Sequence, residues 1–417
     1  MKILIYGINY APELTGIGKY SAELAEWLAV RGHEVSVVTA PPYYPQWQVH
    51  EGYRAGRYRK ESLRGVTVRR APLWVPQRPG GLKRLVHLAS FALSSLPSLL
   101  RAAAGRPDII LVVEPALFCA PAAWLAARLC GARAWLHVQD YEVDAAFELG
   151  LLKGAGLRAL VRRAERWLMR RFDRVSTISN RMLDLALAKG VDPGRAVLLP
   201  NWIDVDAIAP QAGGGYRAEL GIPDDAIVAL YSGNMGGKQG LQTLADVARR
   251  LERETRLWFV FCGQGPERAP LQQQCAGLAR VIFLDLQPAE RLGELLSTAD
   301  IHLLPQRAGA ADLVMPSKLT GMLASGRPVV CGAAPGTELA GVIARCGLLT
   351  PPEDGSAMAE AVRKLSYNAQ IRETLGAAAR QYAQTHLHVD SVLAAAEREF
   401  EALIASKGKP AARGAGV

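Results

Sequence analysis

The stretch DLVMPSKLTGMLASGRPVV, residues 312–330, decides the fold. Pro316 lacks an N–H group and suits the first turn of a helix, and Ser317 can cap the neighbouring N–H groups. Gly326 ends this short predicted helix, and the apolar residues that follow begin a strand. Free N–H groups at a helix start attract an anion, and Lys318 adds a full charge. The stretch predicts a phosphate-facing edge of a parallel sheet, or else an ordinary helix-to-strand connection.

Apolar runs of strand length alternate with helix-like segments along most of the chain. This alternation predicts parallel sheets with crossover helices, and such strands are continuous apolar runs because both faces are buried. The predicted strands are 2–7, 35–39, 109–113, 134–138, 174–178, 227–232, 258–262, 280–284, 300–304 and 328–331. The series is interrupted at about 200–225, a stretch rich in Gly, Asp and Pro. We expect a hinge there between two Rossmann-like domains.

The composition limits the classes of function. The chain has 417 residues, is 50% hydrophobic and carries a net charge of +10, which predicts about two or three domains with large cores. Arginines are concentrated in 57–70 and 158–174. No nucleic-acid-binding module accompanies them, so we expect anionic lipid or a phosphorylated substrate and no nucleic acid as partner.

The cysteines and the apolar segments indicate a cytoplasmic protein. The six cysteines have no CxxC or other ligand spacing, which predicts buried free thiols. No signal peptide is predicted, and polar residues interrupt both 85–100 and 109–138, so no membrane span is predicted. The segment 83–101 could instead lie in a membrane interface, because basic residues flank it.

Several motifs recur in an order that resembles the GT-B glycosyltransferases, specifically the large retaining family 4. They are the loop around 16–18, RGHEV at 31–35, PNWID at 200–204, GNMGGKQGL at 233–241, CGQGP at 262–266, ADIHLLP at 299–305, PSK at 316–318 and ASGRPVV at 324–330. The chain is most similar to the colanic-acid-type exopolysaccharide glycosyltransferases. APPYYPQW at 40–47, HVQDYEVD at 137–144 and PSKLTGMLASGR at 316–327 carry that narrower resemblance.

The resemblance implies a fold, a reaction and a set of partners. The fold is α/β GT-B, with an acceptor-side domain (1–203) facing a donor domain (204–385) across a cleft, a helix (386–405) packing back on the first domain, and a disordered tail (406–417). The reaction is retaining transfer of a hexose, fucose among the candidates, from a nucleotide diphosphate sugar to a lipid-linked exopolysaccharide intermediate. It takes place at the inner face of the plasma membrane, without a cofactor or metal.

Two glycine-rich loops are predicted to approach the donor. Gly16 and Gly18 allow a close backbone approach, although a plain turn would explain them too. In GNMGGKQGL, Gly233 gives a permissive backbone, and the resemblance assigns Lys238 to the diphosphate. Many relatives carry Arg where this chain has Asn234. The remaining donor-binding residues by resemblance are Gly265, Pro316, Ser317, Lys318 and Glu338, the last of which could equally be a helix-start acid.

The expected pair of acidic residues is incomplete. In the family, a Glu-x7-Glu pattern contacts the transferred sugar with its first Glu and the ribose with its second. Asp312 fits the first position best and is a catalytic candidate with Lys238. The second position falls on Gly321, so the ribose contact is absent or supplied elsewhere.

A second group of catalytic candidates follows the strand at 134–138. The resemblance places either His137 or Asp140 near the donor sugar. A hydrogen-bonded core histidine is an equal explanation for His137, whereas Asp140 follows the strand in a polar run.

Aromatic residues indicate the acceptor side. Tyr43, Tyr44 and Trp47 lie in a Pro-rich loop, and aromatic faces stack on sugar rings. The alternative is that this loop packs on its own domain. Asp204 and Asp206 form a DxD sequence, but their place in the linker predicts a turn or cap rather than a metal site.

Two other functions are compatible with these residues. A nucleotide-sugar epimerase of the same fold would convert the donor without an acceptor. A non-catalytic polysaccharide-assembly subunit would bind nucleotide weakly and turn nothing over.

Overall fold

The computed structural model describes residues 1–14, 16–77, 80–114, 118–141, 155–209, 215–308 and 315–406. The chain divides into two compact units. The first comprises Met1–Thr177, Leu183–Leu199 and Leu393–Val417, and the second comprises Ile178–Met182 and Pro200–Val392. The predicted tail, 406–417, lies outside the described residues beyond its first residue.

The first unit is built on an eight-stranded sheet in the order β3-β4-β2-β1-β5-β6-β7-β8. Its strands are β1 (Lys2–Tyr6), β2 (Glu34–Thr39), β3 (Arg59–Leu63), β4 (Val66–Arg70), β5 (Ile109–Glu114), β6 (Arg133–Val138), β7 (Arg174–Thr177) and β8 (Ala196–Leu198). β3 and β4 are antiparallel, and the other pairs are parallel. β5 is buried along its whole length, as its continuous apolar sequence predicts.

The helices of the first unit cover this sheet. They are α1 (Gly16–Val30), α2 (Gly81–Ser94), α3 (Leu96–Ala103), α4 (Ala120–Cys130), α5 (Ala155–Met169) and α6 (Asn180–Ala188), whose first three residues belong to the second unit. By length and hydropathy, the stretch Gly81–Ala103 is the one described segment that could cross a membrane, and a third (33%) of its apolar 18-residue window is buried in the protein. That single match is weak evidence, because core helices share these properties.

The second unit contains a six-stranded parallel sheet in the order β11-β10-β9-β12-β13-β14. Its strands are β9 (Ile227–Ser232), β10 (Leu257–Cys262), β11 (Val281–Leu284), β12 (Ile301–Leu304), β13 (Val329–Gly332) and β14 (Gly347–Thr350). Two apolar clusters, one on each face, pack these strands against helices. Both units are therefore Rossmann-like α/β layers, as predicted.

The helices of the second unit end with one that returns to the first. They are α7 (Gly215–Glu219), α8 (Gln242–Arg250), α9 (Arg268–Gln274), α10 (Leu292–Ser297), α11 (Lys318–Ala324), α12 (Glu338–Cys346), α13 (Gly355–Tyr367), α14 (Ala369–His386) and α15 (Val389–Ala405). From Leu393 onward α15 belongs to the first unit, where Phe400 packs on Trp135 at 4.8 Å between ring centroids. The predicted return of the last helix is confirmed.

Four strands were missed by the sequence prediction: β3, β4, β8 and β14. β3 and β4 form a charged edge hairpin whose turn residues, Arg64 and Gly65, both have positive φ (46° and 82°). The core-facing Arg70 is 1% exposed and donates hydrogen bonds to Glu61 and to backbone carbonyls. A buried arginine interrupts the apolar pattern on which the prediction depended.

Candidate functional site

The second sheet has a topological switch point between β9 and β12. From β9 the sheet extends to one side through β10 and β11. The next strand, β12, lies on the other side of β9, and β13 and β14 follow it outward, so the direction in which strands are added reverses here. Ligands of open parallel sheets bind outside the carboxyl ends of the strands at such a point. The loops after β9 and β10 and the start of α11, which follows β12, converge there through the contacts below.

Lys318 is joined to the loop after β9 through Tyr231. Its Nζ donates a hydrogen bond to the Tyr231 hydroxyl at 2.7 Å and lies 4.2 Å from the centre of that ring. The Tyr231 hydroxyl in turn donates to the carbonyl of Asn234 at 2.7 Å. One side chain at the end of β9 therefore holds both the predicted phosphate-binding lysine and the predicted glycine-rich loop.

The charge of Lys318 lacks an acidic partner in the part of the chain that the structure describes. Burial lowers the pKa of Lys318 to about 7. A buried ammonium group gains stability when an anion supplies the missing countercharge. Lys318 is therefore a candidate cation for an anionic ligand, and its predicted contact with a phosphate stays a prediction.

Glycines let the loops after β9 and β10 pack backbone against backbone. A Cβ at Gly263 would lie 1.9 Å from the Gly233 carbonyl oxygen, and one at Gly265 would lie 2.4 Å from that of Met235. At Gly233 a Cβ would be 3.2 Å from Cε of Lys318. Gly233 and Gly265 thus have a structural reason to be glycine, and Gly233 also leaves space for the lysine.

Two predicted residues of this site are described only in part or not at all. Lys238 lies in a 3₁₀ helix (Gly237–Gln239) two residues after Gly236, but its side chain lies outside the described residues, as does all of Asp312. Their predicted roles therefore stay predictions.

The start of α11 differs from the expectation. Ser317 precedes the helix but already has helical dihedrals (φ −58°, ψ −27°), and its side chain makes no capping hydrogen bond. In that conformation its hydroxyl does not reach the first N–H groups. Pro316 lies before the cap, and its carbonyl accepts from the N–H of Leu319 at 3.0 Å. The predicted cap by Ser317 is wrong, and the predicted anion site at this helix start depends on Lys318 alone.

Gly321 faces another helix rather than open space. A Cβ there would lie 2.9 Å from Cδ1 of Leu296 on α10, inside an apolar cluster. The missing ribose-binding Glu therefore has a physical explanation, because a carboxylate would enter a hydrophobic core at this position.

Glu338 is the first residue of α12, and its side chain caps the N-terminus of another helix, α6. Its carboxylate accepts hydrogen bonds from the backbone N–H groups of Asn180 (3.0 Å) and Arg181 (2.8 Å) and from the side chain of Asn180 (3.0 Å). A carboxylate at a helix N-terminus is favourable. The structure places Glu338 as an acid that caps α6, and its contact with the donor stays a prediction.

In the first unit, a residue that the sequence did not indicate links two predicted loops. Glu13 lies between β1 and α1, and one of its carboxylate oxygens accepts from the N–H groups of Tyr43 (3.0 Å) and Tyr44 (3.1 Å). The other accepts from the Asn9 amide at 2.9 Å. Burial raises the pKa of Glu13 to about 7, and these N–H donors oppose the rise.

The aromatic loop packs partly on its own unit. Tyr43 is buried, and its ring lies 5.5 Å from that of Trp47 and 4.8 Å from that of His87 on α2. Tyr44 is half-buried, and its ring is 3.6 Å from where a Cβ of Gly16 would be. The loop is thus held at the carboxyl edge of the sheet, where Tyr44 and Trp47 keep some exposed surface.

His137 and Asp140 lie at the end of β6 with different degrees of burial. His137 is 3% exposed, and its ring nitrogens contact Ser176 Oγ (2.8 Å) and the Gln139 side-chain amide (3.0 Å). Burial lowers the pKa of His137 to about 4, so the ring is neutral at pH 7. This is the arrangement of a hydrogen-bonded core histidine, one of the two explanations above, while Asp140 is half-buried beyond it.

The DxD sequence forms a turn. Asp204 Oδ1 accepts from the N–H groups of Asp206 (3.0 Å) and Ala207 (2.9 Å), which confirms the predicted cap. Among the described residues, no group of three His, Cys, Asp or Glu side chains could hold a metal ion. All six cysteines are free thiols, and all but Cys130 are buried.

Family models match both halves of the chain. Residues 15–202 match a glycosyl transferase 4-like domain, and residues 226–368 match the group 1 glycosyl transferases. A protein of Escherichia coli that carries the name colanic acid biosynthesis glycosyl transferase WcaI is 45% identical over 94% of this chain and 98% of its own. A 2-deoxystreptamine N-acetyl-D-glucosaminyltransferase of Streptomyces fradiae is 28% identical over 85% of this chain and 83% of its own.

Solved structures share the fold. A sucrose-phosphate synthase of Thermosynechococcus elongatus superposes with a TM-score of 0.75 at 18% identity, over 97% of this chain and 100% of that one. HepE of Anabaena, solved with UDP and glucose, gives a TM-score of 0.69 at 15% identity, over 96% and 100% of the two chains. These similarities confirm the predicted GT-B fold.

Proposed function

This chain belongs to the family 4 glycosyltransferases of GT-B fold, and we propose that it transfers a hexose from a nucleotide diphosphate sugar to a lipid-linked exopolysaccharide intermediate. The observation that carries the proposal is the buried ammonium group of Lys318 at the switch point of the second sheet, which has no acidic partner among the described residues. The name of the Escherichia coli relative supports exopolysaccharide as the product class.

A nucleotide diphosphate is the donor group that this edge fits best. Lys318 supplies the positive charge, and Gly233 in the loop after β9 leaves space for the lysine side chain. Crystal structures of HepE contain UDP and UDP-glucose, which supports the same ligand class here. A thermal-shift panel of UDP- and GDP-sugars tests this directly, because a ligand at 100 times its Kd adds about 2.7 kcal/mol of stability.

The reaction we propose retains the anomeric configuration. The bond between the sugar C1 and the diphosphate oxygen breaks, the acceptor hydroxyl oxygen bonds to C1 on the same face, and its proton passes to the departing diphosphate. Lys318 stabilises the charge that develops on that diphosphate, a preorganised electrostatic role. NMR of the new glycosidic linkage tests retention, since an inverted anomeric proton coupling would contradict it.

Lys318 supplies charge that a divalent ion supplies in other transferases, so we propose that turnover needs no metal. Activity should then survive EDTA. Loss of turnover in EDTA, restored by magnesium or manganese, would overturn this part of the proposal.

We further propose that the first unit binds the anionic inner face of the plasma membrane. Four arginines around Trp167 on and after α5 form a basic surface, and none has an acidic partner among the described residues; they are Arg163, Arg166, Arg170 and Arg171. Trp167 is 52% exposed, and the guanidinium group of Arg171 lies 3.9 Å from the centre of its ring. Exposed Leu125, Leu129 and Leu160 lie on α4 and α5. Unpaired cations and exposed apolar side chains together suit an anionic lipid interface.

Vesicle binding tests the membrane proposal. Each basic residue near an anionic surface adds about 1 kcal/mol, so Arg163→Gln with Arg166→Gln should weaken binding to phosphatidylglycerol vesicles roughly thirtyfold. The same charge change at Arg249 and Arg250, on α8 of the second unit, is the control and should have little effect. Equal weakening by both pairs would mean that only net charge matters, and no binding by wild type would remove the proposal.

The two other functions make different predictions in the same assays. An epimerase would convert a nucleotide sugar into its epimer without acceptor. A non-catalytic subunit would bind the nucleotide and release no product. Release of nucleoside diphosphate that depends on an acceptor is expected only from the transferase.

A further inference from the structure

Glu13 joins two loops of the first unit that sequence motifs assign separately to ligand binding. It is 3% exposed, and its carboxylate accepts three hydrogen bonds. Two come from the backbone N–H groups of Tyr43 and Tyr44 in the aromatic loop 40–47, and the third comes from the side chain of Asn9. The carboxylate therefore fixes the aromatic loop to the connection between β1 and α1.

The start of α1 is shaped around this contact. A Cβ at Gly18 would lie 2.6 Å from Oε2 of Glu13, and a Cβ at Gly16 would lie 3.6 Å from the ring of Tyr44. Gly18 leaves room for the carboxylate, and Gly16 leaves room for the ring. Both glycines thus serve the contact between α1 and the aromatic loop.

A charged group is a costly choice for this position. No described cation forms a salt bridge with Glu13, so three N–H donors compensate its desolvation. Neutral side chains could accept the same backbone hydrogen bonds at a lower desolvation cost. A carboxylate accepts hydrogen bonds that are about twice as strong as those to a neutral oxygen. Its hydrogen bonds to the amides of Tyr43 and Tyr44 therefore hold the aromatic loop in place.

We propose that Glu13 is a positioning residue that anchors the aromatic loop 40–47 and thereby sets the place of Tyr44 in the acceptor-binding surface. The inference rests on the proposed function, because that function assigns the aromatic loop to the acceptor. Glu13 itself is buried, so its role is to hold the loop rather than to bind the acceptor.

Hydrogen exchange tests the anchor without any substrate. In Glu13→Ala, the amides of 40–47 should exchange at least about tenfold faster than in wild type, because two N–H groups lose their acceptor. Glu13→Gln retains an oxygen acceptor and should change the exchange rate less. Glu34→Gln, at the exposed start of β2, is the matched control and should leave it unchanged. Unchanged exchange in both Glu13 variants would overturn the proposal.

Kinetics separates a positioning role from a purely structural one. With octyl glucoside as the acceptor probe, Glu13→Ala should raise the acceptor KM roughly tenfold, while donor KM and acceptor-free donor hydrolysis stay at the wild-type values. An equal fall in donor hydrolysis would indicate general loss of structure and overturn the role. If wild type turns over no nucleotide sugar, the proposed function fails while the exchange experiment still decides the anchor. If Glu13→Ala does not fold, hydrogen exchange in Glu13→Gln tests the anchoring role instead. Wild-type exchange rates of the 40–47 amides in Glu13→Gln would contradict that role.

Discussion

Binding of a nucleotide diphosphate should draw a proton onto Lys318. Burial lowers the pKa of Lys318 to about 7 in the free protein, so at pH 8 only about one tenth of the molecules carry the charge there. A bound diphosphate would return this pKa toward its ordinary value of about 10.4. Binding at pH 8 should therefore take up about 0.9 proton per nucleotide, because the terminal phosphate is already ionised at that pH.

Calorimetry in several buffers measures this uptake. At pH 8 the observed binding enthalpy of UDP or GDP should change linearly with the ionisation enthalpy of the buffer, with a slope of about 0.9. The affinity should also fall as pH rises above 7, by up to about tenfold per pH unit. Lys318→Arg should bind with a slope near zero, because a guanidinium group stays charged. A slope near zero in wild type would refute the reasoning, since Lys318 would then be charged already or would not contact the phosphate.

Three further changes test the structural account. Tyr231→Phe removes the hydroxyl that accepts from Lys318, and calorimetry should show nucleotide affinity falling about tenfold. Gly321→Glu forces a carboxylate toward an apolar core and should lower the thermal unfolding midpoint. Gly341→Glu is the control and should change the midpoint little, because a Cβ there would meet nothing within 4 Å. Equal shifts of the midpoint in the two variants would contradict this explanation. Because the pKa of Glu13 is raised to about 7, the folded state holds its proton longer than the unfolded chain. Urea denaturation should then show that the free energy of unfolding of Glu13→Gln, relative to that of wild type, increases by up to about 3 kcal/mol as pH rises from 4.5 to 7. A difference in the free energy of unfolding that does not change with pH would contradict this prediction.

The regular part of the fold was readable from the sequence. Strands such as β5 and β9 are continuous apolar runs because parallel strands are buried on both faces. The charged hairpin of β3 and β4 was not readable, since Arg70 reaches its buried partners only in the folded chain.

A candidate residue could be proposed from the sequence where its own neighbours indicate its chemistry, but not where two distant residues form the contact. Lys318, at the start of α11, could be inferred from its own sequence context, but its partner Tyr231 lies 87 residues earlier, on β9. Glu13 had no motif of its own, because its role depends on amides 30 and 31 residues later in the chain. Gly321 could be recognised as a departure from the family, but only packing against Leu296 explains it.

The central claim is that this chain transfers sugar from a nucleotide diphosphate held by Lys318. The most direct test is acceptor-dependent release of nucleoside diphosphate from UDP- and GDP-sugars by wild type and by Lys318→Met. Wild type should turn over at least one donor, and Lys318→Met, folded as judged by circular dichroism, should be about a hundredfold slower. Equal turnover by the two proteins would contradict the claim.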